Sequence, residues 1–177
     1  HGDATGGIVA GKADLVAAVR KTGLSHVGGN LSPQEAFLFL RGIKTLPLRM
    51  AAHCAGAAAV AQFLANHPAV RTVHYPGLAS HPDHALAQRL LPRSCGSVFS
   101  FDLKGSREQG RRLVEALKIF SHLANVGDCR SLVIHPASTT HAQLSPEAQL
   151  AAGVTPGLVR LSVGLENIDD LKADLEA

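Results

Sequence analysis

The sequence predicts an α/β chain of the α+β kind: a small, mostly antiparallel sheet with helices against it and a long connector helix ahead of it. Three observations carry that prediction. Four short segments with strand character lie in the part of the chain beyond Pro68. Helical segments are interleaved with them, without the strict rhythm of a doubly wound sheet. Before them comes an Ala-rich stretch, "LRMAAHCAGAAAVAQFLANHP", that carries helical pattern as far as Pro68.

Taken in order, "GGIVAG" (6–11) reads as a short buried strand between glycines. In "KADLVAAVRKTG" (12–23), Leu15, Val16 and Val19 fall on one helical stripe, and Gly23 serves as a stop. "LSPQE" (31–35) places Ser32 at an N-cap, Pro33 at the first helical position and Glu35 three residues after the cap. That is a capping box, in which the Ser and Glu side chains satisfy backbone N–H groups left over at the helix start. The helix "PQEAFLFLRGI" follows, and Pro47 breaks or kinks it because proline lacks the N–H and clashes with the preceding turn. Beyond Pro68, strands are expected at 70–75, 97–103, 131–134 and 158–164, and helices at about 82–91, 106–121, 145–152 and 167–176. "LSPEAQLAAG" repeats the Ser-Pro start and ends at Gly153, suited to the left-handed position after a helix.

Composition narrows the function classes. The net charge of +3 comes from scattered basic residues, and one Tyr, six Phe and no Trp leave little for stacking bases, so nucleic acid is not an expected partner. The densest basic run, "KGSREQGRR" (104–112), carries Glu108 and reads as a solvated helix face. Cys54, Cys95 and Cys129 are odd in number, widely spaced and form no CxxC, against a zinc site or a secreted disulfide framework. No uninterrupted apolar run approaches the roughly 20 residues of a membrane span, and the start does not look like a signal peptide. The expectation is a soluble, cytoplasmic protein without a membrane partner.

Several groups could carry chemistry. His81, Asp83 and His84 cluster with ligand-type side chains, as do His135 and His141, but neither set matches a known metal spacing, and Pro82 points to a helix start. Ser138, His141 and Asp128 offer a nucleophilic triad by composition, without a GxSxG elbow. The glycines of "GDATGGIVAG" do not fit GxGxxG. Arg160 differs, because it sits inside the apolar strand "LVRLSVG". A guanidinium there either snorkels from a sheet edge or is aimed at an anion, and its planar fork suits a carboxylate. "NVGD" (125–128) and "HPASTTH" (135–141) form two polar loops around a short strand, with side chains small enough to admit a ligand or to make an ordinary surface loop.

"HPASTTH", followed by "LVRLSVGLENIDDLKADLE", resembles the C-terminal region of the Cys/Met-metabolism enzymes that depend on pyridoxal phosphate. "LSPQEAFLFLRGIKTLPLRM", "YPGLASHP" and the opening "HGD" fit the same family in the same order, so the resemblance spans essentially the whole chain. It implies the C-terminal portion of a fold-type I pyridoxal-phosphate-dependent transferase. Residues 1–30 would be the tail of the large cofactor domain, 31–68 a helical connector, and 69–177 the small C-terminal domain. It further implies that Arg160 grips the α-carboxylate of an amino-acid substrate, that Asn125 lines the substrate pocket, and that Ser138 and Thr140 lie near it.

His1, Gly2 and Asp3 resemble the segment just after the family's cofactor lysine. The resemblance therefore implies that this lysine lies upstream of His1, and that Lys12, Lys21, Lys44, Lys104, Lys118 and Lys172 do not replace it. No catalytic, cofactor-binding or metal residue is expected within the chain. The reaction implied is O-acylhomoserine sulfhydrylation, since "FSHLANVGDCRSLVIHPASTTHAQLSPEAQLAAGVTP" is most similar to the O-acetylhomoserine sulfhydrylases. "HGDATGGIV" and "GIKTLPLRM" lean towards methionine γ-lyase or O-succinylhomoserine sulfhydrylase, and γ-lyase is the alternative. A non-catalytic fragment is a third reading. The expected partners are an O-acylhomoserine-class substrate, the protein's own N-terminal half and a second subunit, in a homodimer or homotetramer.

Overall fold

A computed structural model describes residues 1–176, which fall into two compact units divided between Pro47 and Leu48.

The first unit holds α1 (Ala13–Ser25) and α2 (Pro33–Ile43). At the start of α2, Ser32 Oγ accepts the Glu35 N–H at 3.1 Å. The reciprocal half of the expected capping box is absent: Glu35 Oε1 accepts from Thr5 N instead, at 3.3 Å. Helix α1 runs through Gly23 to Ser25, and the Gly23 carbonyl receives the N–H of Gly29 at 2.8 Å. Residues 6–11 form no strand, and Ile8 and Val9 are 94% and 63% exposed. An isolated strand cannot pair its backbone N–H and C=O groups, and this unit contains no other strand.

Helix α3 (Leu46–Ala65), all but its first two residues in the second unit, has Pro47 in its first turn, where no helical N–H is required. The helical run is interrupted at residues 44–45, between α2 and α3, as the proline predicts, and Pro47 itself lies in the new helix's first turn. Helix α3 is also long and apolar enough, by length and composition, to cross a membrane (mean hydropathy 1.2), contrary to the expectation from uninterrupted apolar runs. Its buried residues, His53, Cys54, Gly56, Ala57, Val60, Ala61 and Leu64, recur at helical spacing and make one core-facing stripe.

Five strands follow: β1 (Val70–His74), β2 (Val98–Leu103), β3 (Ser121–His122), β4 (Leu132–Ile134) and β5 (Leu158–Ser162). Their order across the sheet is β1-β2-β5-β4-β3, with every pair antiparallel except β3 and β4. The sheet is therefore largely antiparallel, as expected, and β5 is its central strand. Helices α4 (His84–Leu90), α5 (Arg107–Ala116), α6 (Pro146–Ala151) and α7 (Ile168–Glu176) are interleaved with the strands, except that β4 follows β3 directly. His81 precedes α4 rather than sitting in its first turn, and its Nδ1 accepts the Asp83 N–H at 3.1 Å.

One face of the sheet carries Phe99, Phe101, Val133, Val159 and Leu161, which pack with α3 and with Val114, Leu171 and Leu175 of α5 and α7 in the main core. Helix α5 stops at Ala116, five residues short of the expected end. The reason lies on α7. The buried Asp174 carboxylate accepts the backbone N–H groups of Lys118, Ile119 and Phe120 at 2.9, 2.9 and 3.2 Å, so these donors turn to a side chain instead of continuing the helix.

Candidate functional site

Alternation along β5 sends Val159 and Leu161 into the main core and Arg160 to the opposite face. Arg160 stands directly across from Ser100 of β2 and Ile134 of β4. With neighbours on both sides it lies mid-sheet, which removes the edge-snorkelling alternative. Arg160 is half-buried as a residue, and its Nη2 donates to the Asn125 carbonyl at 3.3 Å in an exposed bond. Among the described residues no carboxylate pairs with it.

A carboxylate on that face, one strand period from Ser100, is already committed. Asp102, opposite Leu158 and 7% exposed, binds His74 Nε2 through Oδ2 at 2.7 Å and accepts the Thr155 hydroxyl on Oδ1. With no carboxylate partner among the described residues, the remaining donors of the Arg160 fork are chemically able to meet an external anion.

The loop 123–128 brings Asn125 beside this cation through its backbone. The Asn125 carboxamide oxygen caps its own loop by accepting the Val126 N–H at 2.8 Å, and Gly127 turns the chain with φ of 76°. Exposed Leu123 and Val126 give the loop an apolar flank.

The loop after Ile134 is held from within. Buried His135 bonds Ser138 Oγ through Nδ1 at 2.8 Å and the Pro156 carbonyl through Nε2 at 2.9 Å. Gln149 Nε2 donates to the carbonyls of Ala137 and His141 at 3.2 and 2.8 Å. The Ser138 hydroxyl is thus occupied inside the loop, while Thr140 is exposed and bonds His141 Nδ1 at 2.9 Å. No hydrogen bond given by the structure joins either to Arg160. Ser138, His141 and Asp128 do not form a triad: their side chains bind His135, Thr140 and the Arg130 N–H separately.

Three residues on the Arg160 face escape composition-based reading: Ser100, Asp102 and Ser162. Ser162 follows Arg160 at strand period, is 2% exposed, and its Oγ has no hydrogen-bond partner among the described residues. The signal available in sequence was the polar phase of "SVFSFDL" and "LVRLSVG", in which Ser100, Asp102, Arg160 and Ser162 alternate with apolar residues.

A family model described as Cys/Met metabolism PLP-dependent enzyme matches residues 1–177. The chain belongs to that family. An L-methionine gamma-lyase of Pseudomonas putida is 50% identical over 99% of the chain and 44% of its own length. An O-acetyl-L-homoserine sulfhydrylase of Leptospira meyeri is 48% identical over 92% of the chain and 37% of its own length. The crystal structure of a cystathionine gamma synthase from Xanthomonas oryzae, in complex with aminoacrylate and cysteine, superimposes with a TM-score of 0.86 at 42% identity, covering 95% of this chain and 43% of that one. The chain thus spans less than half the length of each of these relatives.

Enzymes of this Cys/Met-metabolism family depend on pyridoxal phosphate. Covalent attachment of that cofactor needs a lysine amine held away from water next to its aldehyde. Five of the six lysines here are exposed; Lys172, half-buried, lies 3.5 Å from the Asp169 carboxylate. These side chains do not fit the cofactor's attachment point.

Proposed function

We propose that this chain supplies the substrate-carboxylate site of a pyridoxal-phosphate-dependent O-acylhomoserine sulfhydrylase, the enzyme that replaces the acyl group with sulfide to give homocysteine. The observation that carries the reading is Arg160: mid-sheet, half-buried and without a carboxylate partner among the described residues. Its Nη2 is steadied by the Asn125 carbonyl, which leaves the other N–H groups of the fork to meet an amino acid's α-carboxylate through two parallel bonds. That contact orients the substrate and fixes its register; it is the same for every member of the family and does not choose the reaction. Asn125 contributes through its loop, and Ser138 and Thr140 belong to the loop that leaves β4 just after Ile134, the residue facing Arg160. The cofactor, when bound in the whole enzyme, supplies the electron sink. We assign its lysine to a part of the protein outside these residues, and we take the working enzyme to be a cytoplasmic homo-oligomer.

Methionine γ-lyase is the second reading. It is favoured by the coverage of the lyase relatives, of which the Pseudomonas putida enzyme aligns over 99% of the chain against 92% for the Leptospira meyeri sulfhydrylase. Product analysis on the full-length enzyme separates the two. Homocysteine from O-acetylhomoserine plus sulfide supports sulfhydrylation. An α-keto acid and a thiol released from methionine, with no homocysteine from the acyl ester, would replace it with the lyase.

A further inference from the structure

Two of the three cysteines are brought towards each other through the residues that flank Cys95. Cys54 lies on the core stripe of α3 and is 8% exposed, and its Sγ accepts the hydroxyl of Ser94 at 3.1 Å. Cys95, the next residue, is half-buried and packs against the main core. On its other side the Gly96 carbonyl accepts the Tyr75 phenol at 3.2 Å. Both residues flanking Cys95 are therefore anchored, one to Cys54 itself and the other to Tyr75. Burial pushes the Tyr75 phenol up to about 12, and the Cys95 and Cys54 thiols add to that shift.

The segment that carries Cys95 lies outside regular secondary structure. Residues 92–97 belong to no helix or strand, Arg93 and Ser94 are exposed, and Gly96 turns the chain with φ of 82°. Cys54, by contrast, is fixed in α3. Neither cysteine is in a disulfide in this structure.

We propose that Cys54 and Cys95 are a thiol pair that closes into a reversible disulfide under a low-molecular-weight disulfide such as oxidised glutathione, tying α3 to the segment entering β2. Cys95, the more accessible sulfur, attacks as the thiolate and forms a mixed disulfide, releasing one reduced glutathione. Cys54 then loses its proton to solvent, and its sulfur displaces the second glutathione from Cys95. Two protein thiols are oxidised to one disulfide, and one glutathione disulfide is reduced to two thiols. The Ser94 hydroxyl donates to the Cys54 sulfur and stabilises the thiolate needed for the second step. The pair is independent of the activity proposed for Arg160.

The test is peptide mapping of the full-length protein after incubation with oxidised glutathione and alkylation of the remaining thiols. The expected result is a Cys54–Cys95 cross-linked peptide lighter by two hydrogens, reopened by dithiothreitol, absent in Cys95→Ser and retained in Cys129→Ser. Recovery of Cys54 and Cys95 both alkylated overturns the proposal. So does Cys95 trapped only as its glutathione adduct, or a linkage that always includes Cys129.

Discussion

The backbone carbonyl of Asn125 accepts a hydrogen bond from Nη2 of Arg160 at 3.3 Å, across 35 residues of sequence. One donor of the guanidinium is thereby engaged by the loop before any substrate arrives, and the fork's orientation is set by a main-chain atom that no side-chain substitution at residue 125 removes. If this fork binds the α-carboxylate, Arg160→Lys replaces two parallel bonds with a point charge on a flexible stem. The full-length Arg160→Lys enzyme is expected to raise KM for the amino acid roughly tenfold, and Arg160→Ala by about two orders of magnitude, from the strength of hydrogen bonds to charged groups. Asn125→Ala should move KM much less. Steady-state kinetics with the amino acid varied will check this; an unchanged KM in Arg160→Ala would remove the carboxylate assignment.

Asp174 holds the turn between α5 and β3. Its carboxylate satisfies the three consecutive N–H groups of residues 118–120, and it is itself 8% exposed. Asp174→Ala would leave those donors without their partner in a largely dry site, at a cost of about 3 kcal/mol. Asp174→Asn keeps one acceptor oxygen and should lose less. Urea unfolding followed by far-UV circular dichroism gives both numbers, with the order Ala below Asn below wild type as the expected result.

That same carboxylate marks the boundary of what could be read from the sequence. The strands at 70–75 and 97–103 were legible because a two-residue alternation is a local property, those at 131–134 and 158–164 as short apolar runs, and Ser32 at its cap was equally local. The end of α5 was not legible, since it is decided by a side chain 54 to 56 residues away. Ile8 and Val9 misled for the converse reason: apolar β-branched residues signal a strand, but a strand exists only where a neighbour accepts its hydrogen bonds. Arg160 was legible as a polar intrusion in an apolar run. Its mid-sheet position depended on strand order, which alternation cannot reveal. Ser100 and Asp102 were hidden by the same ignorance of pairing.

Gly110 puts two physical effects in opposition. It lies inside α5, where alanine is favoured over glycine by about 1 kcal/mol on propensity. A Cβ added there would meet His135 Nε2 at 2.6 Å and Cδ2 at 2.7 Å. That ring cannot yield easily, because its two nitrogens bond Ser138 and Pro156 and it is 1% exposed. Gly110→Ala is therefore expected to destabilise the protein by about 1–3 kcal/mol despite the better helix former. Thermal unfolding decides it, and a raised Tm would mean that the His135 ring moves aside without cost.

Tyr75 gives the fold an alkaline limit with a definite sign. Tyr75 is 2% exposed, its ring packs tilted with its centroid 5.5 Å from that of Phe99, its hydroxyl donates to the Gly96 carbonyl, and its burial raises its pKa from 10.0 to about 12. The folded state therefore holds the neutral phenol at pH values where the unfolded chain has already lost the proton. The unfolded state then binds fewer protons than the folded one, so stability falls as pH rises. The contribution is fully present below pH 10, declines between 10 and about 12, and amounts to a loss on the order of 2 kcal/mol across that window. Tyr75→Phe keeps the ring and removes the titrating group. Its stability at neutral pH should be about 1 kcal/mol lower for the lost hydrogen bond, while its stability between pH 10 and 12 should fall less steeply than that of the wild type. Urea unfolding across that range, with the two proteins side by side, is the measurement, and parallel curves would show that some other group sets the alkaline limit.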